Sequence, residues 1–505
     1  MRDDRTPILI GAGQLTQRDV EPAQALEPLA MMVETARRAA ADAGTDARLL
    51  AQADTVAVVN IIGWQYSNAP AALAERLGAQ PRQLLYTTVG GNTPQWLVNE
   101  TAAQIAAGRV RLALLAGAEA IHTLLRARKS HTQLHWSANG AGTPTVLGTA
   151  RHGSSDHEMA HGLHMPTTIY PLFENALRAH EGLSLAAHRE RLGALCARFA
   201  AVAAQNPLAW FRQARSAAEI ATVSPDNRLI GFPYPKYMNA IMDVDQSAAV
   251  LMTSVGVARE LGIDPSRWVY LWGCADAHDL WFISERQNYY SSPAIRLAGE
   301  KALAMAGIGI EAIDEIELYS CFPSAVQIAR NMLGVPLDDP RPLTVTGGLP
   351  YHGGPGNNYT MHGIATMMHR LRATPGRKGL VTGLGWYVTK HSVGIYSAAP
   401  PPWSGEREWT REDPAAYQPA LDHALHPELV TEPQGRGVIE TYTVLHDRDG
   451  APMRGIAVGR LTDGRRFIAN TPDDRTVLDG LMAAEAIGRV GTVTSTNGAN
   501  RFEPA

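Results

Sequence analysis

Only three cysteines, Cys196, Cys274 and Cys321, occur among the 505 residues, and no two form a CxxC. That scarcity excludes a disulfide framework and a cysteine-rich zinc site. Charge of one sign is lacking too. Forty-five Lys and Arg face 49 Asp and Glu, for a net charge of −4 without any basic run. Nucleic acid and anionic membrane are therefore not expected as main partners. No window approaches 18 uninterrupted apolar residues, so no membrane span is expected. The opening MRDDRTPILIGAG has too short an apolar run for a signal peptide, and the expectation is a cytoplasmic protein. What the composition does supply, 45% apolar and 19% charged residues, is enough for a large core in two or three domain-sized units.

The chain says much the same thing twice. RRAAADAGTDARLLAQADTVAVV (residues 37–59) has a partner in EKALAMAGIGIEAIDEIELYS (residues 300–320). In each, a helical pattern ends in Ala-Gly, a polar turn follows, and an Asp (Asp54, Asp314) leads into an apolar strand. Downstream, the Gly-rich turn Gly90-Gly91-Asn92-Thr93-Pro94 matches Gly353-Gly354-Pro355-Gly356-Asn357-Asn358, and residues 108–117 match 376–385. Asp314 follows Asp54 by 260 positions and Gly376 follows Gly108 by 268. Spacings of this size imply a duplicated α/β half, since solenoid repeats are far shorter.

Periodicity and breakers organise the rest. Strands are expected at residues 7–11, 54–62, 244–253 and 268–275, and helices at 25–44 and 94–107. Gly11-Ala12-Gly13 lacks the third glycine of a dinucleotide fingerprint and reads as a turn. The first half spans residues 1–265, with His- and Pro-rich helical pieces inserted at 121–237; the second spans 266–397. Ala398-Ala399-Pro400-Pro401-Pro402 and a charged stretch read as a linker over 398–436. Residues 437–505 alternate like short strands, with hairpin turns at Asp449-Gly450 and Asp463-Gly464, and form a small β-barrel-like domain.

A duplicated α/β core with a helical insertion in its first half resembles the thiolase superfamily, and the added β-domain resembles thiolase-like proteins of type 1. The resemblance covers residues 6–398. It implies a five-layered αβαβα fold and coenzyme A thioesters as substrate or ligand, with no bound cofactor. It leaves two oligomeric states open: a homodimer, or a monomer if the C-terminal domain blocks the usual interface. It also implies that residue 90 holds the nucleophilic cysteine position, which here is Gly90. The Asn-Glu-Ala-Phe loop reads Tyr319-Ser320-Cys321-Phe322, the Gly-His-Pro loop Gly353-Gly354-Pro355, and the Cys-x-Gly loop Gly383-Leu384-Gly385. Acyl transfer through an acyl-cysteine is therefore not expected.

Thiolase relatives that cleave steroid side chains by retro-aldol reaction also lack the nucleophile, and by that resemblance tyrosines on the second-half loops take over. Tyr319 and Tyr351 become candidate bases, aided by His352 or His391, with Asn92 and the Gly90-Gly91 amides as oxyanion donors at a helix N-terminus. Gly353, Gly354, Gly385, His391, Cys321 and Phe322 are candidate substrate-binding residues; Trp386, Tyr387 and Lys390 line the pocket or pack. The alternative is an acyl-CoA or lipid binder without turnover. His157-Glu158-Met159-Ala160-His161 is a literal H-E-x-x-H, but Gly162 and Pro166 cut its helix short, and no metal is expected.

Overall fold

A computed structural model describes residues 2–505. Strands β1 (Pro7–Thr16), β2 (Thr55–Val58), β3 (Gln83–Thr87), β4 (Leu112–Ala120) and β5 (Thr145–Leu147) lie in the first half. A hairpin of two short strands, β6 (Leu229–Gly231) and β7 (Tyr234–Pro235), precedes β8 (Asp245–Ser254). The second half supplies β9 (Val269–His278), β10 (Glu315–Glu317), β11 (Lys378–Gly385) and β12 (Lys390–Ser397). All but β6 and β7 join one sheet, in the order β10-β11-β12-β9-β1-β8-β4-β2-β3-β5. The halves meet where β1 pairs antiparallel with β9 at Leu9 and Val269.

Both faces of this sheet are covered. Along β4, Leu112, Leu114 and Ala116 pack with the helices Pro28–Asp42 and Ala69–Leu77, while Ala113 and Leu115 turn to the other side. That other side holds Thr93–Ala106 and Tyr359–Ala373, one helix from each half, packed between the two half-sheets. Helices Pro293–Ala306 and Pro323–Met332 cover the far face of the second half. The layers are therefore αβαβα, with strands apolar on both sides, as double coverage requires.

The duplication is physical as well as textual. Asp54 accepts the Arg111 and Leu112 amides (3.1 and 3.2 Å), fixing the start of β4. Asp314 accepts the Lys378 amide (2.8 Å) at the start of β11. A Cβ on Gly11 would lie 2.0 Å from the Ala39 carbonyl oxygen, and one on Gly273 2.1 Å from that of Ala302. In both halves the outer helix thus rests on strand backbone. Gly11 and Gly13 accordingly sit inside β1, which runs on to Thr16 rather than turning at residue 11.

The C-terminal strands are β13 (Gly435–His446), β14 (Pro452–Leu461), β15 (Arg466–Asn470), β16 (Val490–Thr496) and β17 (Ala499–Pro504). Their order, β14-β15-β17-β16-β13, is closed by β13 pairing with β14. With helix Arg475–Ala483 between β15 and β16, this is the topology of an OB-type barrel. Tyr442, Phe467 and Phe502 fill its interior.

The barrel is fastened to the insertion. Gly231 pairs with Leu445, so β6 and β7 extend the barrel sheet. Asn175 donates to the Tyr442 carbonyl (2.9 Å), and buried Arg178 pairs with Glu485 (2.6 Å). Arg466, wholly buried, donates to the Ser284 and Arg286 carbonyls and to Glu440.

Residues 398–436 are not a loose linker. Trp403, Trp409, Tyr417 and Leu421 are buried, Trp409 Nε1 donates to the Leu271 carbonyl (2.8 Å), and Trp272 Nε1 to that of Ala399 (2.9 Å). Proline and charge suggested a spacer, but two indoles hold it to the sheet as a strap.

Candidate active site

The helix Thr93–Ala106 starts where β11 and β12 come closest to the first half. A Cβ on Gly383 would stand 2.8 Å from Asn92 Cα, and one on Gly385 2.3 Å from Asn92 Oδ1. Gly91 is held as tightly, since its Cβ would meet the Tyr319 hydroxyl at 2.1 Å. The second half clamps the turn. Asn357 Oδ1 accepts the Gly90 amide (2.8 Å), and Thr360 Oγ1 donates to the Gly91 carbonyl (2.7 Å).

Lys390, at the start of β12, reaches back over this turn. Its Nζ donates to the Val89 carbonyl (2.6 Å) and stands 2.7 Å from where a Gly90 Cβ would be. The ammonium thus occupies the space that a side chain at residue 90 would need. Among the described residues no carboxylate pairs with it, and burial pushes it down to about 8. Next to it, Asn92 Nδ2 donates to Ser392 Oγ (3.3 Å), while Asn92 Oδ1 is buried without a partner.

These groups face a cleft of about 620 Å³, whose walls include Thr88, Asn92, Trp96, Asp276, Lys390 and Arg411. Asp276 lies opposite Ser392 in the β9–β12 ladder. Burial pushes its carboxyl up to about 6, outweighing Arg411 at 2.7 Å and a hydrogen bond to Ser392. Arg411 also holds Glu100, and Asp413, Pro414 and Gln418 of the strap close the cleft on that side. An amine and a carboxyl, both displaced toward neutrality within one cleft, mark a functional site on physical grounds.

Comparison with known proteins agrees with the fold. Residues 417–498 match the family described as the thiolase-like protein type 1 additional C-terminal domain, which begins within the strap, ahead of the first barrel strand. A solved structure described as a monomeric SCP2-thiolase like protein type 1 from Mycobacterium smegmatis is 37% identical, over 99% of both chains, with a TM-score of 0.86. The chain belongs to the thiolase-like proteins of type 1. Two further structures share the thiolase fold with this type 1 protein. An Ltp2-ChsH2(DUF35) aldolase is 18% identical over 78% of this chain and 98% of its own, with a TM-score of 0.61. An acetyl-CoA acetyltransferase from Syntrophomonas wolfei is 16% identical over 78% and 99%, with a TM-score of 0.52. No curated protein sequence matches.

The structure gathers some of the expected residues of the type 1 protein and separates others. Gly90, Gly91, Asn92 and Gly385 come together at the turn. Tyr319 lies behind Gly91, packed edge-on against Tyr359 with ring centroids 5.6 Å apart, and burial pushes its hydroxyl upward. Tyr351 does not join it. That side chain borders a different cavity, with Phe211, Arg215 and Tyr237, and its hydroxyl faces the Cys196 thiol. His352 is fully buried beside His362 (ring centroids 5.1 Å apart), with Nδ1 3.3 Å from Asn206, and burial pushes it down to about 3. Among the described residues no hydrogen bond joins its ring to Tyr319 or Tyr351.

Other candidates are structural by placement. Cys321 and Phe322 belong to the core; Phe322 stacks on Tyr170 at 4.5 Å, and burial pushes the Cys321 thiol up to about 12. Gly353 and Gly354 pack against Gln246 and Ile241, away from the cleft. His391 contributes to the cleft wall, but its ring Nε2 turns to Ser292 (3.2 Å) and Asp279 (3.6 Å). In the H-E-x-x-H stretch, Glu158 accepts the Ser155 and Ser284 amides, and His161 Nε2 accepts the Asn500 amide of the barrel. Among the described residues no three His, Cys, Asp or Glu are grouped to hold a metal ion. The sequence marks Lys390 as pocket-lining or packing but not as the amine over Gly90, and it does not mark Asp276 or Arg411. The available signal was a lysine five positions past Gly385, opening a strand that is otherwise buried.

Proposed function

We propose that this type 1 thiolase-like protein binds a coenzyme A thioester in the cleft and breaks or forms a carbon–carbon bond there without an acyl-cysteine. The observation that carries the reading is Lys390 Nζ in the side-chain space of Gly90. All three cysteines are buried, with thiols pushed up to about 12 by that burial, so none supplies a ready thiolate. The same scaffold carries an aldolase and an acetyl-CoA acetyltransferase.

Retro-aldol cleavage of a 3-hydroxyacyl thioester suits these groups. A base takes the hydroxyl proton, the C2–C3 bond breaks, and its electrons pass to the thioester as an enolate. Protonation at C2 then releases the shortened thioester and an aldehyde or ketone. The Lys390 ammonium and the amides at the start of Thr93–Ala106 would hold the enolate oxygen. Asp276, ionised above about 6 and joined to Asn92 through Ser392, would act as base.

A second reading, a thioester binder without turnover, is favoured by the separation of Tyr351 and His352 from the cleft. Incubation with 3-hydroxyacyl- and 3-oxoacyl-CoA series, with and without free coenzyme A, decides between them. Shortened products from the 3-hydroxy series alone, lost in Lys390→Ala, support cleavage. Binding with no product from any member supports the second reading, and products that require free coenzyme A refute both.

A further inference from the structure

We infer that Lys390 is a carbonyl-capturing amine: the cleft admits a ligand bearing a ketone or aldehyde, whose carbonyl carbon joins Lys390 Nζ as an imine. This goes beyond the thioester reading, because capture is measurable without any carbon–carbon cleavage.

Among 45 cationic side chains, only Lys129, Lys236, Lys301, Lys378 and Lys390 are lysines. Lys129 and Lys236 are exposed, Lys301 pairs with Glu412 (2.6 Å), and Lys378 pairs with Asp314 (3.6 Å). Lys390 is half-buried on a cleft wall, and it donates to a neutral carbonyl, that of Val89. In a chain that otherwise prefers arginine, the cleft keeps the one cationic side chain that can lose its proton and become a nucleophile. With its pKa brought down to about 8 by burial, roughly a tenth of the amine is neutral at pH 7.

The surroundings fit the chemistry. Glycine at 90 and 385 leaves Nζ and Cε the room they occupy, since a Cβ at Gly385 would lie 2.8 Å from Lys390 Cε. The neutral amine adds to the carbonyl carbon, and a proton moves from nitrogen to oxygen to give a carbinolamine. Loss of that hydroxyl as water leaves C=N, so ketone plus amine gives imine plus water. Asn92 Oδ1 is a buried acceptor without a donor, 2.6 Å from the same Gly90 Cβ position that lies 2.7 Å from Nζ. It is placed to accept the carbinolamine O–H.

The test uses the full-length protein with ethyl acetoacetate or acetoacetyl-CoA at pH 8, followed by sodium borohydride. Borohydride delivers hydride to the imine carbon and fixes the ligand as a secondary amine. Intact mass and peptide mapping should show one adduct per chain, on the peptide containing Lys390, and none in Lys390→Arg. The wild type carries its own control, because Lys129 and Lys236 compete in the same sample. No adduct at saturating probe, or labelling spread over Lys129 and Lys236, overturns the inference. Adducts at Lys390 without chain-shortened products would support capture and sink only the cleavage reading.

Discussion

Replacing Lys390 by Met tests whether the fold bears a cost for the cation in the cleft. The drop from 10.5 to about 8 penalises the folded ammonium by about 3.4 kcal/mol, at about 1.36 kcal/mol for each tenfold change in proton affinity. Met keeps most of the volume but gives up the hydrogen bond to Val89, worth about 1.5–3 kcal/mol for a charged donor. At pH 7 the variant should therefore be more stable by about 0.5–2 kcal/mol, the stability cost a functional group often carries. The sign with pH follows from proton binding. Below about 8 both states are protonated and the penalty is fully present. Between about 8 and 10.5 the unfolded chain holds the proton that the fold has shed, so wild-type stability rises with pH. Urea unfolding of both proteins from pH 7 to 10.5 should show the variant's advantage shrinking and then reversing, a swing of about 3 kcal/mol. Selective 13Cε labelling of the five lysines gives a direct reading, with one resonance titrating near 8 and missing from the variant. A flat stability difference with five resonances near ~10.4 would refute the reasoning and remove the nucleophile from the site.

Gly385→Ala places a Cβ 2.3 Å from Asn92 Oδ1 and should lower borohydride trapping and turnover by about 100-fold, as misplacement of about 1 Å does, while the melting transition stays cooperative. Cys321→Ala should leave turnover unchanged, because its thiol is held at about 12 within the core; lost turnover with an intact fold would make Cys321 a participant. Arg411→Met strands Asp276 without its cation, costing about 3–5 kcal/mol locally, read as faster amide exchange over residues 398–418. In the wild type, burial lifts the Asp276 carboxyl to about 6, against 3.8 when unperturbed, so its contribution to global stability, read by urea unfolding, should fall as pH rises from about 4 to 6 and then level off. Arg466→Ala removes the donor joining Ser284, Arg286 and Glu440, and calorimetry should show the barrel transition separating from that of the core.

The fold was legible wherever the sequence had to repeat itself. Asp54 and Asp314 each fix the start of a neighbouring strand, and that requirement survives in both copies as a readable spacing. The roles of side chains were less legible. Tyr351 and His352 stand in a loop that occupies the expected place, yet their direction depends on helix Leu185–Gln205, which supplies Cys196 and leads to Asn206. Lys390 acquires its meaning only when β12 crosses the turn at Gly90, 300 positions earlier in the chain. The strap misled because Pro and charge dominate its composition, although Trp403 and Trp409 were the sign that it is packed.

The pairing of Gly231 with Leu445 sets an order of events during synthesis. These residues lie 214 positions apart, so at 5–20 residues per second the hairpin waits roughly 10–40 s for its partner strand. Over that interval helix Pro166–His180 lacks the strand to which Leu172 and Asn175 bind in the finished protein. The insertion therefore emerges early but finishes last, and its packing is complete only when the barrel strands have left the ribosome. Any factor that shields nascent apolar surface has its longest task on this chain at the insertion rather than at the duplicated core.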